Sequence, residues 1–100
     1  MNTIVKEQDG ALVALFDGRL DTAAAAQTEQ DLKPLMDSNG RDIFLDCTNL
    51  AYISSSGLRL FLSVLKNAKP KGSHVYIVNM NNDIRNVFTM TGFINLFELK

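Results

Sequence analysis

Strand-type and helix-type apolar patterns alternate along this chain with short, turn-forming connections between them, and that order leaves few folds open. Ile4 to Gln8 and Leu12 to Phe16 are short strand-type apolar runs separated by Asp9-Gly10, a two-residue hairpin signal because both positions tolerate φ > 0. They read as an antiparallel pair. After Gly18-Arg19-Leu20, Asp21 or Thr22 can cap a helix, and Ala23 to Ala26 with Leu32, Leu35 and Met36 keep helical spacing. Pro34 removes a helical hydrogen bond, so it should kink or shorten the last turn before Asp37-Ser38-Asn39-Gly40.

Ile43-Phe44-Leu45 is a continuous apolar run, as expected for a central parallel strand covered on both faces, with Asp46 marking its end. A second helix starts within Ser55 to Gly57 and runs to about Ala68, stopping before Pro70 and Gly72. His74 to Val78 gives the next strand, Asn81 or Asn82 caps a third helix, Thr91-Gly92 stops it, and Leu96 to Leu99 forms a last strand or turn. The order β-β-α-β-α-β-α predicts an α/β fold. Its sheet is mixed and mostly parallel, begins with an antiparallel hairpin, and carries helices packed on it through right-handed crossovers. Short loops and the absence of repeats predict one domain over residues 1–100.

Composition narrows function. With 46% hydrophobic and 21% charged residues in 100, the chain supports one core and leaves little room for a deep substrate cavity. A net charge of −1 lacks the basic excess that binding to phosphates requires, so nucleic acid is not an expected partner. Cys47 is the only cysteine, which excludes an internal disulfide and a thiol pair for metal; it reads as a small buried side chain in a reducing compartment. No metal or cofactor is expected. The N-terminal residues lack the apolar run of a signal peptide, and no stretch of 18 apolar residues exists to span a bilayer, which predicts a cytoplasmic protein without membrane insertion. Lys6, Arg41, Lys69 and Lys71 read as solvated surface charges.

The segment Tyr52-Ile53-Ser54-Ser55-Ser56-Gly57 falls where a central strand hands over to a helix. One serine hydroxyl can accept from the orphan N–H groups of the first turn. Capping explains one serine better than three, and Gly57 costs the helix roughly 1 kcal/mol relative to alanine, so something is expected to approach that backbone closely. On a helical wheel Leu58, Leu60, Phe61, Leu62, Val64, Leu65 and Ala68 span about 200°, wider than the roughly 100° that a surface helix must bury. Leu60 and Val64 lie on the margin and are candidates for a partner-facing edge. Asp21, Asp46 and the serines are all placed at strand ends on one rim of the sheet, the usual functional edge of α/β folds.

These segments together resemble the STAS domain, and within it the stand-alone anti-sigma factor antagonists of bacterial partner-switching systems. The resemblance is carried by Gly18-Arg19-Leu20-Asp21-Thr22, Ile43-Phe44-Leu45-Asp46, Tyr52-Ile53-Ser54-Ser55-Ser56-Gly57-Leu58-Arg59, and Asn86-Val87-Phe88-Thr89-Met90-Thr91-Gly92-Phe93. It implies a non-enzymatic phosphoprotein of transcription regulation. The unphosphorylated form would bind an anti-sigma factor that is also a serine kinase, and a serine phosphatase would return the phosphorylated protein to that binding-competent form. The family's acceptor serine stands two positions before the glycine, which is Ser55 here. The preceding residue is often aspartate in the family and is Ser54 here, so Ser54 and Ser56 are the rival acceptors. The implied partner surface comprises Asp21, Asp46, Ser54, Ser56, Gly57, Leu58, Arg59, Leu60 and Val64.

Two other readings start from the same residues. A hydrolase would use Ser55 as nucleophile, but Ile53 stands where the G-x-S-x-G elbow needs its first glycine, and His74 is predicted at the opposite end of the sheet. A STAS docking subunit of a transporter or sensing complex would keep the fold and dispense with phosphorylation.

Overall fold

The computed structural model describes residues 1–99. Five strands form one sheet in the order β1-β2-β3-β4-β5, with β1 (Asn2–Gln8) antiparallel to β2 (Ala11–Leu20). β3 (Ile43–Ile53), β4 (Val75–Val78) and β5 (Glu98–Leu99) continue the sheet in parallel. The β1–β2 turn is made by Asp9 and Gly10 at φ 52° and 81°, the two left-handed residues that a tight hairpin of this twist demands. Helices α1 (Thr22–Asp31), α2 (Ser55–Ala68) and α3 (Asn82–Met90) fill the crossovers. Because each successive strand is added on the same side of the last, right-handed crossovers put all three helices on one face of the sheet.

The core lies between that face and the helices. Leu12, Ala14 and Phe16 of β2, Ile43, Leu45 and Cys47 of β3, and Val75 and Ile77 of β4 point into it with the period of two that a strand requires. Phe61 of α2 stands between Phe16 and Phe88, with ring centroids 5.0 Å and 5.9 Å away, so one aromatic row ties β2, α2 and α3 together. Pro34 ends α1 sooner than its apolar spacing predicts. The helix stops at Asp31, and a 3-10 turn over Lys33–Asp37 accommodates the proline in its first residues.

Two expectations about β3 are corrected. It is covered on one face only, since Phe44 and Asp46 alternate with the buried residues and stay half-exposed. It also runs on past Asp46 for seven more residues. A polar residue on the open face breaks no core contact, so the strand has no reason to end there. Its pairing with β2 shifts register between Leu15 and Asp17 and again between Gly18 and Arg19. The buried positions accordingly change spacing, from Cys47 to Leu50 to Ile53. Gly18, at φ 113°, supplies the backbone conformation for the second shift. Arg41 is also more than a solvated charge. Its guanidinium pairs with Glu7 and donates to the carbonyls of Ser38 and Asp37, tying the loop before β3 to the β1 edge.

Candidate functional site

The C-terminal ends of β2 and β3 meet where Leu20 pairs with Ile53, and the Ser54 N–H donates to the Leu20 carbonyl at 2.9 Å. Two helices start there side by side. Asp21 caps α1, its Oδ1 accepting from the Ala24 N–H at 2.8 Å. Ser54 caps α2, its Oγ accepting from the Gly57 N–H at 3.2 Å. Both caps have extended backbone and satisfy an otherwise orphaned donor, which stops each strand and turns the chain into the helix.

This divides the three serines by role. Ser54 is buried and spends its hydroxyl on the cap. Ser55, the first helical residue, is exposed and its hydroxyl takes part in none of the described hydrogen bonds. Ser56 is half-buried beside it. Asp and Ser are interchangeable as N-caps, so a serine at position 54 keeps the structural duty that an aspartate would have there. The close approach expected at Gly57 comes from the protein's own core. A Cβ on Gly57 would lie 2.7 Å from Leu20 Cγ and 2.8 Å from Ile53 Cγ1, so the glycine lets α2 sit directly on the strand ends.

The rim carries further groups. Arg19 and Tyr52 face each other in the β2–β3 register, and the guanidinium carbon lies 4.4 Å from the ring centroid. Both are exposed, and the sequence reading did not single them out: one strand partner apart in space, they are 33 positions apart in the chain. Arg59, four residues after Ser55 and therefore on the same side of α2, is exposed as well. Asn81 caps α3 on the Ile84 N–H at 2.9 Å and donates through Nδ2 to the Leu50 carbonyl at 3.1 Å, fixing the third helix start against β3.

Several predicted partner residues are buried or lie off the rim. Val64 is fully buried, and Leu58 and Gly57 are buried too, because α2 lies centrally on the sheet with α1 against it and Phe88 of α3 touching its aromatic ring. Leu60 is half-buried and packs against the core. A helix flanked this way buries a wide arc of its surface, which accounts for most of the 200° apolar span and leaves Leu60 and Leu62 half-buried at its two ends. Asp46 is not on the rim. It pairs in register with Leu15, five residues before Leu20, roughly 16 Å down the strand, and it faces the side of the sheet away from the helices. Its Oδ1 accepts from the N–H and hydroxyl of Thr48 at 2.9 Å and 2.5 Å and lies 3.5 Å from Asn79 Nδ2.

Among the described residues no Ser–His constellation forms. His74 precedes β4 at the opposite end of the parallel strands from Ser55, and its Nδ1 pairs with Glu98 at 2.8 Å. Cys47 is buried against the helices, and desolvation, with the Asp46 carboxylate as a smaller contribution, pushes its thiol up to about 12. It is a neutral packing residue, not a nucleophile. Among the described residues there is no cluster of His, Cys, Asp or Glu able to hold a metal, and no helix long and apolar enough to cross a membrane.

A sequence profile of the STAS domain matches residues 2–100. The BtrV protein of Bordetella bronchiseptica, a proposed anti-sigma factor antagonist, is 33% identical over 99 residues, covering 99% of this chain and 85% of its own. The anti-sigma-B factor antagonist of Staphylococcus aureus is 28% identical over the same share of this chain and 92% of its own. The Bacillus protein SpoIIAA superposes with a TM-score of 0.74 in its unphosphorylated form and 0.73 in its phosphorylated form. Identity is 17% and 18%, over 99% of this chain and 87% and 91% of those chains. With the profile spanning the chain and a relative at this identity end to end, the protein belongs to the STAS domain family.

Proposed function

We propose that this protein is an anti-sigma factor antagonist whose binding to an anti-sigma factor serine kinase is controlled by reversible phosphorylation at Ser55, a serine phosphatase resetting it. The observation that carries the reading is the division of labour at the turn: Ser54 caps the helix, and Ser55 next to it offers an exposed, unengaged hydroxyl at the first helical position. The names of the Bordetella and Staphylococcus relatives support the same reading. The docking surface consists of the exposed rim around Ser55, with Ser56, Arg59, Arg19, Tyr52 and the half-buried Asp21.

The physics of the switch is local. A phosphate at Ser55 adds about −1.5 to −2 charge at neutral pH. The positive N-terminal end of α2 stabilises it on this protein, while any acidic or apolar partner surface seated over Ser55 is repelled or left with a desolvated charge. Asp46 contributes nothing to this repulsion, because it lies on the other side of the sheet and well below the rim. Asp21 is the nearby carboxylate, already committed to its cap. No step requires refolding or a catalytic group on this chain, and the reading is of a non-enzymatic cytoplasmic protein.

The test is incubation with the cognate anti-sigma kinase and ATP, followed by peptide mapping and binding measurements. Phosphate is expected on Ser55, none on a Ser55→Ala variant, and Ser55→Asp should weaken kinase binding by about tenfold or more. Phosphate on Ser54 or Ser56 in the wild type would reassign the acceptor. Tight kinase binding that persists unchanged in the phosphorylated protein would refute the switch and favour a docking subunit.

A further inference from the structure

With all helices on one side, the other face of the sheet is apolar across β2 to β4 except for Asp46 on the central strand, and it carries Lys6 and Glu98 at its two edges. The pairing register aligns one row across all five strands: Lys6, Val13, Phe44, Tyr76 and Glu98. The neighbouring row is Ile4, Leu15, Asp46 and Val78. Phe44 and Tyr76 stack at 5.1 Å, Val13, Leu15 and Val78 are half-buried, and Ile4 is 54% exposed. Parallel strands are ordinarily covered on both faces, and the run Ala11 to Phe16 is apolar at every position, the composition of a strand with two dry sides.

We propose that a second copy of this chain covers this face, the two sheets packing about a twofold axis that runs along β3. Such a rotation exchanges left and right at constant height. β1 of one copy then faces β5 of the other, and Lys6 meets the partner's Glu98 on both flanks of the interface. β2 faces β4, setting Val13 over Tyr76 and Leu15 over Val78, and the two Phe44 side chains meet near the axis. Four strand spacings separate Lys6 from Glu98 in one chain, so each ion pair lies roughly 10 Å from the axis. The usual crossing of about 30° between packed sheets displaces such positions by about 5 Å, within the reach of a lysine side chain. The Glu98 carboxylate is half-exposed in its pair with His74, and so remains open to Lys6. The face measures roughly 500 Å² in projection, and its side-chain relief brings it toward the ~800 Å² per partner of a standard interface. Asp46, beside the axis, would face its own mate, a repulsion built into the same geometry. Ser55 and the rim stay outside the interface, so dimerisation and the proposed switch are independent.

Sedimentation equilibrium of the full chain, from about 1 µM to 1 mM, should show a monomer–dimer equilibrium. Lys6→Glu and Glu98→Lys should each raise the dissociation constant by about tenfold or more, since each converts two attractions into two repulsions. The double reversal should restore it, and Asp46→Asn should tighten it. Carbodiimide coupling of the wild-type chain gives a readout that needs no variant. It should join Lys6 to Glu98 of another copy, a bond that roughly 19 Å forbids within one chain. A chain that is monomeric throughout, a dimer indifferent to the reversals, or a cross-linked dimer without the Lys6–Glu98 bond would overturn the proposal, leaving the face to another partner.

Discussion

Replacing Gly57 by alanine sets two effects of opposite sign against each other. Helix propensity alone favours the alanine by roughly 1 kcal/mol, and less in a first turn where the backbone is only partly helical. Packing opposes it. The new methyl would stand 2.7 Å from Leu20 Cγ, 2.8 Å from Ile53 Cγ1 and 3.0 Å from Leu20 Cδ2, when carbon atoms in contact sit at about 3.5–4.0 Å. Relief requires a movement on the order of 1 Å by side chains that are themselves buried, or by the helix start that carries the Ser54 cap. Overpacking of this kind costs about 1–3 kcal/mol against a gain of about 0.5 kcal/mol, so the net expected loss is about 0.5–2.5 kcal/mol, a fall in Tm of roughly 2–20 °C for a domain of this size. Urea titration followed by far-UV circular dichroism measures it. Leu20→Ala, which removes two of the three close atoms, should cost less in the alanine background than in the wild type, a coupling that a double-mutant cycle reads directly. A Gly57→Ala protein as stable as the wild type, with additive effects in the cycle, would show that the glycine is not there for the close approach of α2 to the strand ends.

Ser54→Ala should cost about 1 kcal/mol by loss of the cap, whereas Ser54→Asp should retain wild-type stability; equal losses for both would remove capping as the duty of this position. Asn81→Ala forfeits both the α3 cap and the bond to the Leu50 carbonyl, and a loss of about 1–3 kcal/mol is expected in chemical denaturation, with α3 amides exchanging faster. Cys47 keeps its proton in the folded state up to about pH 12, while the unfolded thiol ionises near 9. Its contribution is therefore intact below about pH 9 and is lost as pH rises toward 12, at about 1.4 kcal/mol per unit. A Cys47→Ser comparison across that range checks the slope, and rapid alkylation of the native thiol at pH 8 would contradict the burial.

Much of the architecture was legible because its signals are local. Asp9-Gly10 specifies its turn through two positive φ angles, and the polar caps at Asp21, Ser54 and Asn81 mark helix starts through hydrogen bonds spanning three residues. The order of elements, and with it the placing of the serine turn at a strand-to-helix junction on the sheet rim, follows from such signals and from apolar period. The STAS-type motifs were legible for the same reason, each being one continuous segment.

What depended on neighbours was not. The wide apolar arc of α2 is equally consistent with a docking edge and with burial on several sides, and only the packing of Phe88 against Phe61 and the lie of α2 on the sheet puts Val64 inside. Asp46 reads as a strand end, since a charge inside a strand covered on both faces would be costly; the sheet is covered on one face, so the strand continues and the carboxylate points away from the rim. The Arg19–Tyr52 contact and the row from Lys6 to Glu98 exist only through strand register. The sequence alone thus determined the order of elements, the two or three residues among which each cap falls and the position of Ser55, through interactions within a few residues. Tertiary structure decided which faces are dry and which residues share a surface, because burial is a property of what packs on an element from elsewhere in the chain.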